Sequence, residues 1–324
     1  MMKLSTMRKV VETVDSEWRS PLAEEILQRW GYDEGSVYYL RASANFIFIF
    51  KREGITYFLR FNESCEKEVE KIEAELKILQ YLDNYSLQVA QPVKSLNNKY
   101  TEVVETKWGL YYAVVFEALT GKHYDIEELT MEQFYLWGQS LGKLHKSFKQ
   151  IPEHYLQNRP SWKDQLNIAK GIIPVEEFAA HRELDRIYKW AEELEVTEEN
   201  YGLIHYDFEL DNVLFDQKKI GVIDFDDCTS HWYVADIIYS LRDVDEFNIN
   251  SPIIKSFIKG YKTETTLDVN LLNNISEFQR MHEIVTYASM IRSVDIEKSS
   301  NDSEWLTNLR NKLCNYINSK RDWS

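Results

Sequence analysis

The sequence predicts an α+β fold in two lobes, a first lobe built on an antiparallel sheet and a second that is mostly helical. Three observations lead there. Runs rich in β-branched and aromatic residues cluster before residue 117, apolar residues recur at helical spacing after 118, and a group of short strands near 202–224 interrupts that helical region. A chain of 324 residues with 44% hydrophobic content can bury a sizeable core and exceeds what one ordinary domain usually takes. The short "EALTG" segment at 117–121 is the natural division, giving lobes of 1–117 and 118–324.

Residues 8–30 have helical spacing, interrupted at Ser20-Pro21, where proline suits the first turn of a new helix. Strands follow at 46–50 and 55–61, joined by the Lys51-Arg52-Glu53-Gly54 turn. The charged stretch 65–85 reads as a helix with Ile72, Leu76, Leu79 and Leu82 on one face. "QVAQPVKS" is broken by Pro92, and 100–104 and 110–116 are further strands. Beyond the division, Phe134, Trp137, Leu141 and Leu144 mark a helix, and 163–194 holds at least one more. "GLIH", "NVLF" and "IGVID" are short strands, the last two joined by Asp216-Gln217-Lys218-Lys219, and from Val234 the chain is helical again.

Cys65, Cys228 and Cys314 are far apart, odd in number and in no metal-ligand spacing, so neither a disulfide framework nor a zinc site is expected. A reducing cytoplasm fits. The first eighteen residues lack the apolar stretch of a signal peptide, and no apolar run reaches the length of a membrane span, so a soluble protein with no membrane partner is expected. A net charge of −15 argues against nucleic acid as a partner. Most of it belongs to the second lobe: residues 1–117 hold 15 Lys+Arg against 18 Asp+Glu, leaving 23 against 35 for the rest. Solubility explains that excess; so does a field that draws in a cationic ligand.

The chemistry concentrates in "HYDFELDNVLFDQKKIGVIDFDD", residues 205–227. A strand ending at His205 feeds a loop, Asn212 begins a two-strand hairpin, and Asp224 lies where the second strand leaves it. One hairpin therefore brings Asp207, Asn212 and Asp224 to one edge, and a carboxylate with an amide oxygen suits a hard cation. Mg²⁺ takes few protein ligands and keeps positions for phosphate oxygens. Asp207, five residues before the amide, is placed to orient a hydroxyl and accept its proton during phosphoryl transfer. H-x-D-x-x-x-x-N alone is a weak pattern; followed by a hairpin and "VIDFDD" it is strong.

On "LIHYDFELDNVLF", "GVIDFDD", "ADIIYSL" and "FIKGY", the chain resembles the aminoglycoside phosphotransferase and choline kinase group, small-molecule relatives of the protein kinases, over about residues 38–290. "HYD" stands where protein kinases have "HRD", and "DFD" where they have "DFG". The resemblance implies a two-lobed protein-kinase-like fold, with ATP and Mg²⁺ between the lobes and transfer of the γ-phosphoryl group to a hydroxyl. It makes Asp207 the catalytic base and Asn212 and Asp224 the metal ligands. His205 braces the loop, and Asp236 is a buried acid fastening it through backbone amides. Asp226 and Asp227 either add to metal or substrate binding or simply face solvent.

In the first lobe the resemblance offers Ser43 and Asn45 as side-chain donors to phosphates in a loop without glycine, although a plain hairpin turn fits the same residues. Arg60 stands where protein kinases carry the phosphate-pairing lysine. Its partner on the following helix is Glu75, with Glu68 and Glu73 also open. Glu117 and Leu119 form a hinge whose backbone groups bind adenine edges. Trp137, Trp190 and Trp232 read as packing residues; His145, His181 and His282 read as surface or satisfied core positions.

The leading function is therefore an ATP- and Mg²⁺-dependent kinase acting on a hydroxyl of a small, amine-bearing molecule. Two alternatives stand beside it. One is a protein Ser/Thr kinase, disfavoured because eleven residues between Asp224 and Asp236 leave little room for an activation loop and no "APE" follows. The other is a nucleotide-binding module without turnover.

Overall fold

The computed structural model describes every residue except Ser86, Asp245, Glu246 and Ser324. Two short helices, α1 (Leu4–Val11) and α2 (Pro21–Leu27), open the chain. The Ser20 hydroxyl accepts from the Ala23 amide and Pro21 occupies the first turn, so α2 starts where its cap dictates, while α1 begins before the expected residue 8.

The sheet of the first lobe consists of β1 (Tyr38–Ala42), β2 (Phe46–Arg52), β3 (Ile55–Glu63), β5 (Pro92–Val93), β6 (Thr101–Thr106) and β7 (Gly109–Glu117), with α3 (Val69–Leu82) and β4 (Gln88–Val89) between β3 and β5. Its order is β1-β2-β3-β7-β5, β6 also pairing with β7, and every pairing is antiparallel. Glu53 and Gly54 both take positive φ, the backbone a tight two-residue hairpin needs. Register follows pleat: Phe46, Phe48, Phe50, Leu59 and Phe61 join the core with α1 and α2, whereas Ile47, Phe58 and Arg60 face a cleft.

The second lobe contains α4 (Met131–Phe148), α5 (Trp162–Ile172), α6 (Phe178–Glu193), β8 (Tyr201–Ile204), β9 (Val213–Asp216), β10 (Lys219–Val222), β11 (Thr229–Trp232), α7 (Tyr233–Ser240), α8 (Pro252–Tyr261), α9 (Ile275–Ser293) and α10 (Glu304–Lys320). Helices α4 and α8 cross so closely that a Cβ on Gly260 would fall 1.9 Å from the Tyr135 carbonyl oxygen. Strand β10 pairs antiparallel with β9 and parallel with β4, so a segment following α3 is hydrogen-bonded into the second lobe. Strands β1, β4, β5 and β11 were not expected from the sequence; β4 and β5 are two residues each, too short to show a period. Trp137 and Trp232 are buried in the core and Trp190 packs edge-on against Phe278 at 5.0 Å. Among the described residues no helix is long and apolar enough to cross a membrane.

Candidate active site

Between the lobes lies a cavity of about 400 Å³. Its inner part is apolar, with Ile47 and Phe58 above and Leu119, Leu214 and Ile223 below; its other end holds Arg41, Arg60, Glu75 and Asp224. An apolar slot ending in charges fits a planar ring joined to an anionic tail.

Arg60, on β3, reaches Glu75, on α3, as a two-pronged fork: Nη1 donates to Oε1 at 2.9 Å and Nη2 to Oε2 at 2.5 Å. Both are buried, and the Arg60 guanidinium also lies over the Phe116 ring, 4.8 Å from its centre. Burial works against the charge on Arg60, but Glu75, Asp226 and Asp224 outweigh it and raise its pKa. Glu75 is thus the helix acid that meets Arg60. Arg60 Nη1 is also 3.5 Å from Asp224 Oδ1.

Asp224 sits at φ +63, an uncommon left-handed conformation that turns the chain sharply out of β10. Burial, with help from Asp226, Glu75 and Asp227, pushes its carboxyl up to about 7 against the pull of Arg60. Its Oδ1 is buried without a hydrogen-bond donor, and so is Oδ1 of Asn212, whose Nδ2 donates to the carbonyl and Oδ2 of Asp207, both at 3.0 Å. Two orphaned hard oxygens on facing ends of one hairpin are what a divalent cation satisfies. Among the described residues no group of three or more His, Cys, Asp or Glu is placed to hold a metal ion.

The loop before Asn212 is pinned by Asp236. Its carboxylate accepts the His205 amide at 2.8 Å and the Tyr206 amide at 2.9 Å, and Tyr206 adopts φ +75 so that both amides converge. The same Oδ2 meets His145 Nε2 at 2.9 Å, and His145 Nδ1 meets the Tyr261 hydroxyl at 2.9 Å. His145 is therefore a satisfied core residue. Burial lowers its pKa, so the ring is held neutral. His205 contributes Nε2–H to the Ile223 carbonyl at 3.2 Å, bracing the loop against the end of β10.

Arg242 donates from Nη1 and Nη2 to Asp207 Oδ1, both at 3.1 Å, and also contacts Glu209. Burial and the neighbouring Asp207 push the Glu209 carboxyl up to about 7 while Arg242 opposes them. Sequence reasoning missed Arg242; its signal was a lone basic residue six positions after Asp236 in an apolar run.

Asn45 is buried and its Nδ2 donates to Asp226 Oδ2 at 3.2 Å, while Ser43 is exposed on the β1–β2 turn. Lys67 binds the other oxygen of Asp226. Burial disfavours the charge on Asp226, yet Lys67 and Arg60 keep its pKa low. Arg159 clamps the same segment, with Nη2 on the carbonyls of Asp226 at 2.5 Å and Cys228 at 2.7 Å. Lys67 and Arg159 were also missed, the first inside a charge run and the second in a loop without periodicity. The backbone amide of Glu117 donates to the Gln91 carbonyl at 3.0 Å, and Glu117 and Leu119 both border the cavity.

Residues 40–268 match the sequence profile of the phosphotransferase enzyme family. The chain is 25% identical over 305 residues to an amicoumacin kinase of Bacillus subtilis (strain 168), covering 90% of each. Among solved structures it superposes on an amicoumacin kinase in complex with AMP-PNP, Ca²⁺ and Ami (TM-score 0.77, 22% identity, 97% of this chain and 96% of that one). It also superposes on a microcompartment-associated aminopropanol kinase (TM-score 0.70, 21% identity, 93% and 94%). A spectinomycin phosphotransferase in complex with ADP follows (TM-score 0.65, 17% identity, 92% and 93%). These likenesses establish the protein-kinase-like fold.

Proposed function

The chain belongs to the phosphotransferase enzyme family, as a small-molecule kinase, and we propose that it moves the γ-phosphoryl group of ATP to a hydroxyl of a small, amine-bearing molecule. The observation that carries this is the pair of orphaned oxygens, Asn212 Oδ1 and Asp224 Oδ1, beside the Arg60–Glu75 fork and the Asp207 carboxylate. The amine-bearing acceptor is supported by the excess of acids in the second lobe and by the similar kinase named for aminopropanol, an amino alcohol.

In this reading residues 1–117 form the nucleotide lobe and 118–324 carry the catalytic loop and acceptor site. Adenine enters the apolar slot against Ile47 and Ile223, with the backbone near Glu117 and Leu119 at its edge. Arg60, held extended by Glu75, and Arg41, whose Nη2 is 3.9 Å from Asp224 Oδ2, receive the phosphates. Asn212 and Asp224 would hold Mg²⁺, which when bound neutralises phosphate charge. Asp207 orients the acceptor hydroxyl and takes its proton. Arg242 on one oxygen and Asn212 on the other fix the direction of the remaining lone pairs. Because phosphoryl transfer passes through a loose transition state, such positioning supplies most of what the residues contribute.

The test is Mg-ATP turnover against hydroxylated amines, amino acids, sugars, aminoglycosides and Ser/Thr peptides, with product detected by mass and Asp207→Ala run in parallel. A phosphorylated small molecule that disappears in the variant supports the reading; a phosphorylated peptide alone would replace it.

A further inference from the structure

Helix α1 belongs to both lobes. Met7 and Val10 enter the core of the first lobe's sheet, while Leu4 packs with Leu306 and Leu313 of α10. Just before it, the chain crosses the mouth of the β1–β2 turn, where the Met2 amide donates to the Ser43 carbonyl at 2.9 Å. Met2 is buried in the first lobe's core, the Met1 ammonium donates to the Ser289 hydroxyl at 3.3 Å, and one side-chain pair adds a link between the lobes. Glu66, on the loop between β3 and α3, is nearly fully buried; it accepts from the Thr6 hydroxyl at 2.8 Å and from Arg292 Nη2, on α9, at 2.6 Å. The other arm of Arg292 donates to the Met1 carbonyl at 3.4 Å, which also accepts from the Ser293 hydroxyl at 3.2 Å.

The turn so held is next to the chemistry. Its Ala44 carbonyl accepts from Asn62 Nδ2 at 2.9 Å, Asn45 donates to Asp226, and Arg41 at its base points to Asp224. Asn62 and Asn45 tie the turn to the sheet and to the metal segment; the Met2–Ser43 hydrogen bond ties it to α1 and, through Arg292, to the second lobe.

We propose that Glu66 and Arg292 are positioning residues for the β1–β2 turn: by clamping Met1–Met2 across the lobes they hold the turn, with Arg41 at its base, at the end of the cleft proposed to take the nucleotide's phosphates. The proposal rests on the reading of the cleft as a nucleotide site. An ion pair bridging two bodies through a guanidinium with two different acceptors needs both arms, because lysine supplies a point charge and cannot reach both from one position.

The experiment compares Arg292→Met, Arg292→Lys and Glu66→Gln with the unaltered protein. Backbone hydrogen exchange at 42–46 is followed without nucleotide, and AMP-PNP and adenosine affinities are measured by calorimetry with Mg²⁺. Arg292→Met and Glu66→Gln are expected to speed exchange at the turn and to weaken AMP-PNP about five- to tenfold while adenosine changes less than about twofold. Arg292→Lys should recover part of the loss. Unchanged exchange at the turn, or equal loss for adenosine and AMP-PNP, would overturn the proposal, the latter marking a general loosening of the lobe. If the unaltered protein does not distinguish AMP-PNP from adenosine, the nucleotide reading fails, and with it the role over phosphates; the exchange result would still report separately whether the pair holds the turn.

Discussion

Arg242 closes on Asp207 from the side opposite Asn212, placing both arms of its guanidinium 3.1 Å from one carboxylate oxygen. The proposed base is thus gripped on Oδ1 by a cation and on Oδ2 by an amide, and only its direction toward the cleft is left for an acceptor. Removing the carboxylate and removing its guide have different consequences. Asp207→Ala should lower kcat by about 10²–10⁴-fold. Arg242→Ala should lower kcat less, by about tenfold or more, with KM for ATP little changed, since the guide acts through geometry. Steady-state kinetics on the acceptor found by mass detection checks both; equal losses would mean that Arg242 does more than guide.

The orphaned oxygens predict how metal dependence divides between two residues. Asp224→Ala removes a charge and a donor and should weaken Mg-ATP binding at least about tenfold. Asn212→Ala should weaken it less and should also free Asp207, lowering kcat. Calorimetric titration with and without Mg²⁺ separates the two: if Asp224→Ala retains the full Mg²⁺ effect, the cation site lies elsewhere.

Glu75→Ala should be a folding defect before it is a catalytic one. It leaves the Arg60 guanidinium buried without its carboxylate, a loss of about 3–5 kcal/mol by analogy with other broken buried pairs. Denaturant unfolding measures it, and a change of less than about 1 kcal/mol would show that Asp224 and Asp226 compensate.

The buried histidines should cost stability on the acid side, while the carboxyls of Glu209, Asp224 and Asp227, raised to about 7, about 7 and about 6, act in the opposite sense over the same range. Burial lowers the pKa of His145, of His231 to about 3 and of His282 to about 4, so each is held neutral in the folded protein. Once unfolded, their ordinary value is 6.5, and the unfolded chain binds more protons below it. The contribution is therefore complete above 6.5 and is lost progressively as pH falls from there toward the folded values. NMR titration of the imidazoles separates it from those carboxyls: the His231 and His282 rings should remain neutral at about pH 5.5, and a ring protonated there would contradict its burial.

Much of this was legible because the candidate catalytic segment is local. Asp207, Asn212 and Asp224 lie within eighteen consecutive residues, and a hairpin of alternating apolar residues fixes where they meet. The Arg60–Glu75 pair was legible for a similar reason: a strand leads directly into a helix, and both have clear periods. What escaped were long-range partners. Arg159 binds carbonyls almost seventy positions away, and a side chain that meets backbone leaves no complement in the sequence. Lys67 was concealed among alternating charges that resemble a solvated helix face. Strands β4 and β5 are recruited by the edges they join, through pairing that no local propensity encodes.

The parallel pairing of β4 with β10, Gln88 opposite Gly221 and Val89 opposite Val222, has a mechanical meaning. Along that line the two halves are joined by main-chain hydrogen bonds, and a rotation of one half against the other keeps those bonds only if its axis runs along them. The halves also meet through the segment where Met2 meets Ser43 and Arg292 meets Glu66. Those contacts are side chains and a single amide, open to substitution without touching the residues proposed to handle the phosphoryl group.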